Sequence, residues 1–307
     1  MMSTVRFSIV ITCYNQRGYI QDAVDSALSQ PIAGKEVIVV DDASKDGSSQ
    51  ILEQYGKTVH LAFLQGNQGA IAARNYGASL ARGEYIVFLD GDDALMPWAL
   101  EVYDRVITER NPMLILAQTV WFKGHVPPVK DEDVPRKIEF VEYEVPMLKD
   151  RPAGLSASAF VIDRLAFQDV GGWTPGIFHM DLLDIVGKLG YSGRMILICL
   201  PSTVFYRIHA GNSIHTVPPF VRMAHHLMGK ERAGQYPGGR EHRFERYAWL
   251  GGMIFFWTKR ALRAGLYKDA LKLAACGWSM IIAGVARRCG VWIKGRRPIE
   301  TIELAHM

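Results

Sequence analysis

Glu84-Tyr85-Ile86-Val87-Phe88-Leu89-Asp90-Gly91-Asp92-Asp93 is an apolar run that stops in three carboxylates. Tyr85 to Leu89 fit a short strand covered on both faces. If the chain stays extended past Leu89, Asp90 and Asp92 project to the same side, because side chains alternate with period two, and Gly91 lets a ligand approach the backbone. Two carboxylates aimed at one point repel each other unless a cation or a proton sits between them. Oxygen ligands suit magnesium or manganese, which bind through one or two carboxylates plus the phosphates of a substrate. Alone, the stretch is more often a solvated acidic turn, so its surroundings decide.

Upstream, Phe7 to Thr12, Glu36 to Val40 and Val59 to Leu64 read as strands, and Gly18 to Gln30, Ser49 to Tyr55 and Gln68 to Ala81 as the helices between them. Strand and helix in alternation predict an α/β fold, a mostly parallel central sheet flanked by helices. Ligands bind such sheets beyond the carboxyl ends of the strands. Tyr14 and Asn15, Asp41 and Asp42, and Asp90 and Asp92 therefore share one rim. No Gly-X-Gly-X-X-Gly follows the first strand and no Gly-X-X-X-X-Gly-Lys-Ser/Thr occurs, which argues against dinucleotide-binding and P-loop domains.

Downstream, the pattern predicts a helix over Pro97 to Arg110, a strand over Met113 to Phe122, and a variable loop covering the site over 123–150, where prolines and charges concentrate. Ser156 to Ile162 reads as a strand, Asp163 to Gln168 as a short helix, Met180 to Leu189 as a helix, and Met195 to His209 as one or two strands. The chain has 307 residues, 49% of them hydrophobic, ample for a sizeable core. Its net charge is +4, but residues 222–297 hold 16 Lys and Arg against 4 Asp and Glu. That asymmetry points to an acidic partner, membrane or nucleic acid, and without a nucleic-acid-binding motif the latter is set aside. Cys13, Cys199, Cys276 and Cys289 lack metal-ligand spacing, and no signal peptide precedes the first strand, so a cytoplasmic location is expected.

Four ordered segments carry a resemblance: Ile9-Val10-Ile11-Thr12-Cys13-Tyr14-Asn15, Val39-Val40-Asp41-Asp42-Ala43-Ser44-Lys45-Asp46-Gly47-Ser48, Asn67 to Asn75, and Gly83 to Asp93. Together they resemble the glycosyltransferase family 2 enzymes, which have the nucleotide-sugar-binding GT-A fold, over roughly residues 5 to 215. The resemblance implies a nucleotide site at Thr12, Tyr14, Asn15, Asp41, Arg74 and Asp90, with Asp41 on the nucleobase and Asp42 supporting the turn. It implies a divalent ion, Mn2+ or Mg2+, at Asp92 and Asp90. Tyr206-Arg207-Ile208-His209 resembles the segment after the family's last core strands and makes His209 a candidate for a further metal or diphosphate contact. Trp173 matches a position near the sugar or acceptor, and is alternatively core.

The family's base carboxylate belongs to a Glu-Asp pair shortly before Asp-Leu and Gly-Tyr. Here Asp181-Leu182 and Gly190-Tyr191 fit that frame, and the pair falls on Phe178-His179. His179 or Asp181 remains as the base, the first because an imidazole titrates near neutrality, the second if the preceding loop shifts. Loss of the base, leaving a nucleotide-sugar-binding scaffold of a glycan assembly complex, is the alternative.

The expected organisation is a catalytic domain over 1–217, divided near 95 into nucleotide-sugar and acceptor halves, and a basic, amphipathic helical region over 218–307. Within it, Arg243 to Leu262 and Ala264 to Arg288 read as helices separated at Gly265. Tyr247 to Thr258 and Leu273 to Ala286 fall short of the roughly 20 apolar residues that span a bilayer, so no transmembrane helix is expected. The helices suit an anionic membrane surface, the catalytic domain or a second copy in a homo-oligomer. The combined expectation is a metal-dependent inverting glycosyltransferase. It takes a nucleoside-diphosphate sugar, UDP-sugar favoured, to a lipid-linked or oligosaccharide acceptor in bacterial cell-surface polysaccharide or lipopolysaccharide biosynthesis, peripherally at the inner face of the plasma membrane.

Overall fold

The computed structural model describes residues 5–144, 156–177, 180–212, 217–294 and 297–304, the side chains of 291–294 excepted. The first part follows the expected alternation: β1 (Phe7–Cys13), α1 (Ile20–Leu28), β2 (Lys35–Asp41), α2 (Ser48–Glu53), β3 (His60–Phe63), α3 (Ala70–Leu80) and β4 (Tyr85–Asp90). Every residue of β1 is buried, as a strand covered by helices on both faces must be. β2 and β4 flank β1, both parallel to it, and β3 extends the sheet beyond β2. In register, Cys13 lies opposite Asp41 and Thr12 opposite Asp90, so three strand ends reach one rim. Helix α1 buries Ile20, Ala23, Val24 and Ala27, an apolar stripe at i, i+3, i+4 and i+7.

The chain continues through β5 (Ala94–Leu95), α4 (Ala99–Arg110), β6 (Leu114–Leu116), β7 (Thr119–Phe122), β8 (Lys137–Tyr143), β9 (Phe160–Asp163), α5 (Arg164–Asp169), α6 (Asp181–Leu189), β10 (Met195–Leu200) and β11 (Val204–Arg207). It ends in α7 (Val217–Arg232), α8 (Arg243–Arg263), α9 (Tyr267–Lys294) and β12 (Glu300–Glu303). Nine strands form the main sheet in the order β12-β8-β10-β6-β9-β4-β1-β2-β3, and β5-β11-β7 form a small second sheet. The parallel character holds from β4 to β3. On the other side, β9 runs antiparallel between β4 and β6, and β8 runs antiparallel to β10 and β12.

Several expectations need correction. The single strand read over Met113 to Phe122 is two strands in different sheets, because the backbone at Ala117 pairs with Ala159 and that at Gln118 with Thr203. The loop read over 123–150 contains β8, whose buried Ile138 and Phe140 alternate with Lys137 and Glu139 at the strand period. Prolines near that alternation hid it. Residues 218–307 are not wholly helical, since Glu300–Glu303 pair antiparallel with β8. The helix α7 lacked any signal strong enough to be read, its first turn carrying Pro218 and Pro219.

The C-terminal helices have their own core, with Leu227, Leu250, Ile254, Leu273 and Met280 fully buried or nearly so. Helices α8 and α9 form a hairpin that turns at Gly265, whose φ of +74° is left-handed. They cross at Gly251, where a Cβ would stand 1.7 Å from the Met280 carbonyl oxygen, so one backbone rests on the other. The expected absence of any spanning-length helix is also revised. Tyr267–Gly290 within α9 is long and apolar enough to cross a membrane by length and composition, with one third (33%) of its most apolar window buried against the protein.

Candidate functional site

The run that ends β4 delivers Asp90, Asp92 and Asp93 with carboxylate oxygens within 4.8 Å of one another. Gly91 between them is required by space, because a Cβ there would meet Gln16 Oε1 at 2.4 Å and the Thr12 carbonyl oxygen at 2.8 Å. The three acids are held differently. Asp90 accepts from Arg74 Nη2 at 2.7 Å, with Thr12 Oγ1 at 3.5 Å. Asp92 meets His209 Nε2 at 2.9 Å. The Gly211 N–H donates to Nδ1 of that ring at 3.1 Å, which assigns the proton of a neutral imidazole to Nε2, donating to Asp92. Asp93 is turned inward, accepting from Ser158 Oγ at 2.6 Å and the Arg207 N–H at 2.9 Å.

Crowded carboxylates hold protons more tightly. Burial and then the Asp90 charge raise Asp92 above the usual carboxylate range, against the His209 hydrogen bond. Burial, with Asp92 and Asp90 behind it, raises Asp93 further. The donor set fits a hard divalent cation: carboxylate oxygens brought to one point, whose mutual repulsion a cation would relieve. Arg207 braces the cluster from below, giving Nε to the Asp92 carbonyl oxygen at 2.8 Å and Nη2 to Asp22 at 2.6 Å.

A cavity of about 320 Å³ opens above these acids, lined by Thr12, Tyr14, Gln16, Asp42, Arg74, Asp90, Asp92 and Tyr206 among others. Arg74 is buried, which would lower its pKa, but the Asp90 and Asp181 charges outweigh burial and raise it. The alternative of a helix-surface arginine is therefore corrected: the guanidinium is an internal bridge, with Nη1 on Asp181 at 2.6 Å and Nη2 on Asp90 at 2.7 Å. Its Nε, and the Oε1 of Gln16 in the lining of the same cavity, are buried without a hydrogen-bond partner. Two expected nucleotide contacts stand differently. The Asp41 carboxylate is engaged by the Ser44 and Ser49 hydroxyls and is absent from the cavity lining, whereas Asp42 lines it while accepting from the Gln68 and Gly69 N–H groups at 2.7 Å each. Asn15 is exposed and fixes the rim, its Oδ1 accepting from the Lys45 N–H at 2.8 Å.

On the other side of Arg74 lies a second cavity, of about 430 Å³, lined by Asp181, Met180, Leu182, Trp121 and residues of α7 and α8. Tyr206 lines both cavities, and burial followed by the three aspartates raises its hydroxyl pKa. Asp181 opens α6, with its own carboxyl raised by burial against the opposing pull of Arg74. Further along α6, buried Asp184 accepts from Lys230, Thr174 and the Tyr236 hydroxyl, tying this helix to α7. His179 lies outside the described residues. Trp173, expected near sugar or acceptor, is fully buried among Phe88, Phe160 and Phe167 and lines neither cavity, so the core alternative holds for it. Its ring backs the Arg74 guanidinium at 5.7 Å.

The reading from sequence assigned no role to Ser158, Arg207 or Tyr206. Ser158 carries no motif. Tyr206 and Arg207 sat inside the quoted Tyr-Arg-X-His segment, and an arginine ending an otherwise apolar strand was the available signal.

Comparison with known proteins places these features in a family. A family model described as glycosyl transferase family 2 matches residues 8–170, just over half of the chain. A protein named for teichuronic acid biosynthesis, the glycosyltransferase TuaG of Bacillus subtilis, is 41% identical over 107 residues, 34% of this chain and 42% of that one. A cholesterol galactosyltransferase of Borreliella burgdorferi is 32% identical over 120 residues, 38% of this chain and 34% of its own. The chain thus spans less than half the length of these relatives. Among solved structures, S. aureus TarS in complex with UDP-GlcNAc superposes with a TM-score of 0.60 at 18% identity, covering 95% of this chain and 92% of that one. That likeness bears on the fold, which is the GT-A arrangement expected from the resemblance.

Proposed function

Because the chain belongs to glycosyl transferase family 2, we propose that it transfers a sugar, with inversion, from a nucleoside-diphosphate sugar in the 320 Å³ cavity to an acceptor hydroxyl in the neighbouring one. The observation that carries this reading is the Arg74 bridge. One guanidinium holds Asp90, on the donor side, and Asp181, on the other, while Tyr206 lines both spaces. Tyr14 and Asp42, directly beyond β1 and β2, line the donor cavity and are assigned to the nucleobase; Asp41 holds the turn after β2 through Ser44 and Ser49.

A divalent cation held by Asp92 and Asp90 would supply positive charge to the diphosphate as it leaves. His209, donating to Asp92, orients that carboxylate. Asp181 or His179 takes the hydroxyl proton, the acceptor oxygen bonds to the anomeric carbon, and the bond from that carbon to the phosphate oxygen breaks with its electrons on the diphosphate. A UDP-sugar is favoured as donor, in keeping with the ligand of the TarS structure, and cell-surface polysaccharide assembly as the setting, in keeping with the name of TuaG.

Release of UDP from UDP-sugars with Mn2+ tests the reading. Turnover that falls on Asp181→Asn supports Asp181 as base. Turnover unchanged by both Asp181→Asn and His179→Ala removes both candidates. One observation favours a second reading, a binding scaffold without turnover: the Asp181 carboxylate is committed to an ion pair with buried Arg74. Nucleotide binding with no UDP release from any donor would establish that reading instead.

The catalytic domain is assigned to 1–217 together with strand 300–303, and the helical region 218–294 to walling the second cavity and to attachment. On α9, exposed Leu271, Trp278, Ile282 and Val285 recur at helical spacing, flanked by Lys268, Lys272, Arg287 and Arg288. This stripe is assigned to the inner surface of an anionic membrane.

A further inference from the structure

The second cavity is apolar in a way that a purely carbohydrate acceptor does not require. Its walls are formed by Trp121 and Tyr206 from the small sheet and by Phe220, Met253, Phe256 and Trp257 from α7 and α8. Aromatic rings can stack on the C–H faces of a sugar, but its edge hydroxyls need polar partners, and burying them against aromatic and thioether groups alone costs free energy for each unpaired group. Among the described lining residues, Thr119 and Ser156 are the only side-chain hydroxyls besides Tyr206. Its volume of about 430 Å³ lies within the usual range for small-molecule sites.

Charge is placed at two points of this lining. Asp181 lines the cavity and pairs with Arg74, which lines the donor cavity; Arg260 lines the second cavity from the last turn of α8. The Arg260 guanidinium lies 5.2 Å from the Trp257 ring and 5.9 Å from that of Phe256, and forms no ion pair among the described residues. A cation resting on aromatic faces beside an apolar space suits an anion joined to an apolar chain. Phe256 is half exposed, and its neighbour Phe255 is exposed too, so the apolar lining continues onto the outer face of α8.

We propose that this cavity binds the acceptor as an amphiphile: a hydroxyl-bearing group toward Asp181, an apolar chain along Trp121, Met253 and Phe256, and a phosphate paired with Arg260. The assignment rests on the transferase reading above and specifies its acceptor as a phosphorylated lipid rather than a free oligosaccharide. A chain longer than the cavity leaves past Phe256 toward the outer face of the helices.

Calorimetric titration of the full chain with dodecyl phosphate below its micellar concentration, butyl phosphate and inorganic phosphate tests the proposal. Dodecyl phosphate is expected to bind at least ~10-fold more tightly than butyl phosphate, and inorganic phosphate most weakly. Phe256→Glu and Arg260→Glu are each expected to weaken dodecyl phosphate by ~10-fold or more. Trp121→Ala on the opposite wall gives the same answer independently if Phe256→Glu unfolds the bundle, as judged by circular dichroism. Equal affinity for the three phosphates overturns the proposal. So does dodecyl phosphate binding that survives the cavity variants and is lost in Trp278→Glu, which would place the amphiphile on the α9 surface. UDP with Mn2+, titrated separately into the same protein, reads the donor assignment. UDP binding without dodecyl phosphate binding overturns the acceptor assignment alone, and the reverse overturns the donor assignment alone.

Discussion

Around the donor cavity, Thr12, Asp42, Asp90 and Asp92 lie on or just beyond three neighbouring strands, within the first 92 residues. Around the second cavity, Thr119, Asp181, Tyr206, Phe220 and Arg260 come from five separate elements or their ends, spread over more than a hundred residues. In the first region, strand register places these side chains: once β1, β2 and β4 pair in parallel, their carboxyl ends must meet. In the second, placement depends on how helices pack on the sheet. The difference teaches that two neighbouring cavities can have separate structural origins while Arg74 and Tyr206 link them.

That separation predicts unequal responses to mutation. The largest effect belongs to the donor side, where Asp92→Asn is expected to lower Mn2+-dependent UDP release by ~10²-fold or more, measured at saturating donor. A pH effect accompanies it in the unsubstituted protein. Asp92 must be ionised to hold a cation, and its proton is held above the usual carboxylate range, so Mn2+ affinity falls as pH drops through that raised value. An affinity that stays constant until pH 4 would contradict this. The next effect belongs to the helical side. Gly251→Val drives a side chain into the Met280 carbonyl and is expected to destabilise the bundle by ~3 kcal/mol, seen as a lower or split melting transition. UDP affinity should change by less than ~2-fold if the register of the strands alone builds the donor site. A matching loss of UDP affinity would show that the two regions are energetically one. The smallest effect is at the α9 surface, where co-sedimentation with anionic vesicles should weaken steeply with added salt. Salt-independent absence of binding would leave α9 as packing only.

The same contrast governs what could be read from sequence. The alternation of strands and helices up to Asp93, and the shared rim, followed from local periodicity, which each residue expresses through its immediate neighbours. The role of Arg74 did not, because its partners Asp90 and Asp181 are 16 and 107 residues away, and nothing local distinguishes an internal bridge from a surface arginine. Trp173 shows the converse: matched position suggested ligand contact, while four aromatic rings in one cluster made it core. Asp41 and Asp42 were adjacent acids whose order of approach to the cavity depended on which way the turn through Ala43, at φ +60°, directed each carboxylate. β8 was hidden for a simpler reason, since the charges and prolines around it outweighed a short alternating run.

The pairing of Glu300–Glu303 with β8 makes the three helices a closed excursion rather than a tail. Both ends of the segment from Val217 to Lys294 are anchored, one after β11 and the other through β12 in the main sheet. A segment fixed at both ends samples far fewer arrangements than one fixed at a single end, so the helices stay at high local concentration against Asp181 even when individual contacts open. The closing strand also occupies the edge of β8, which would otherwise offer unpaired backbone groups to other chains. A single four-residue strand therefore acts at once as a tether for the wall of the second cavity and as a guard on the sheet.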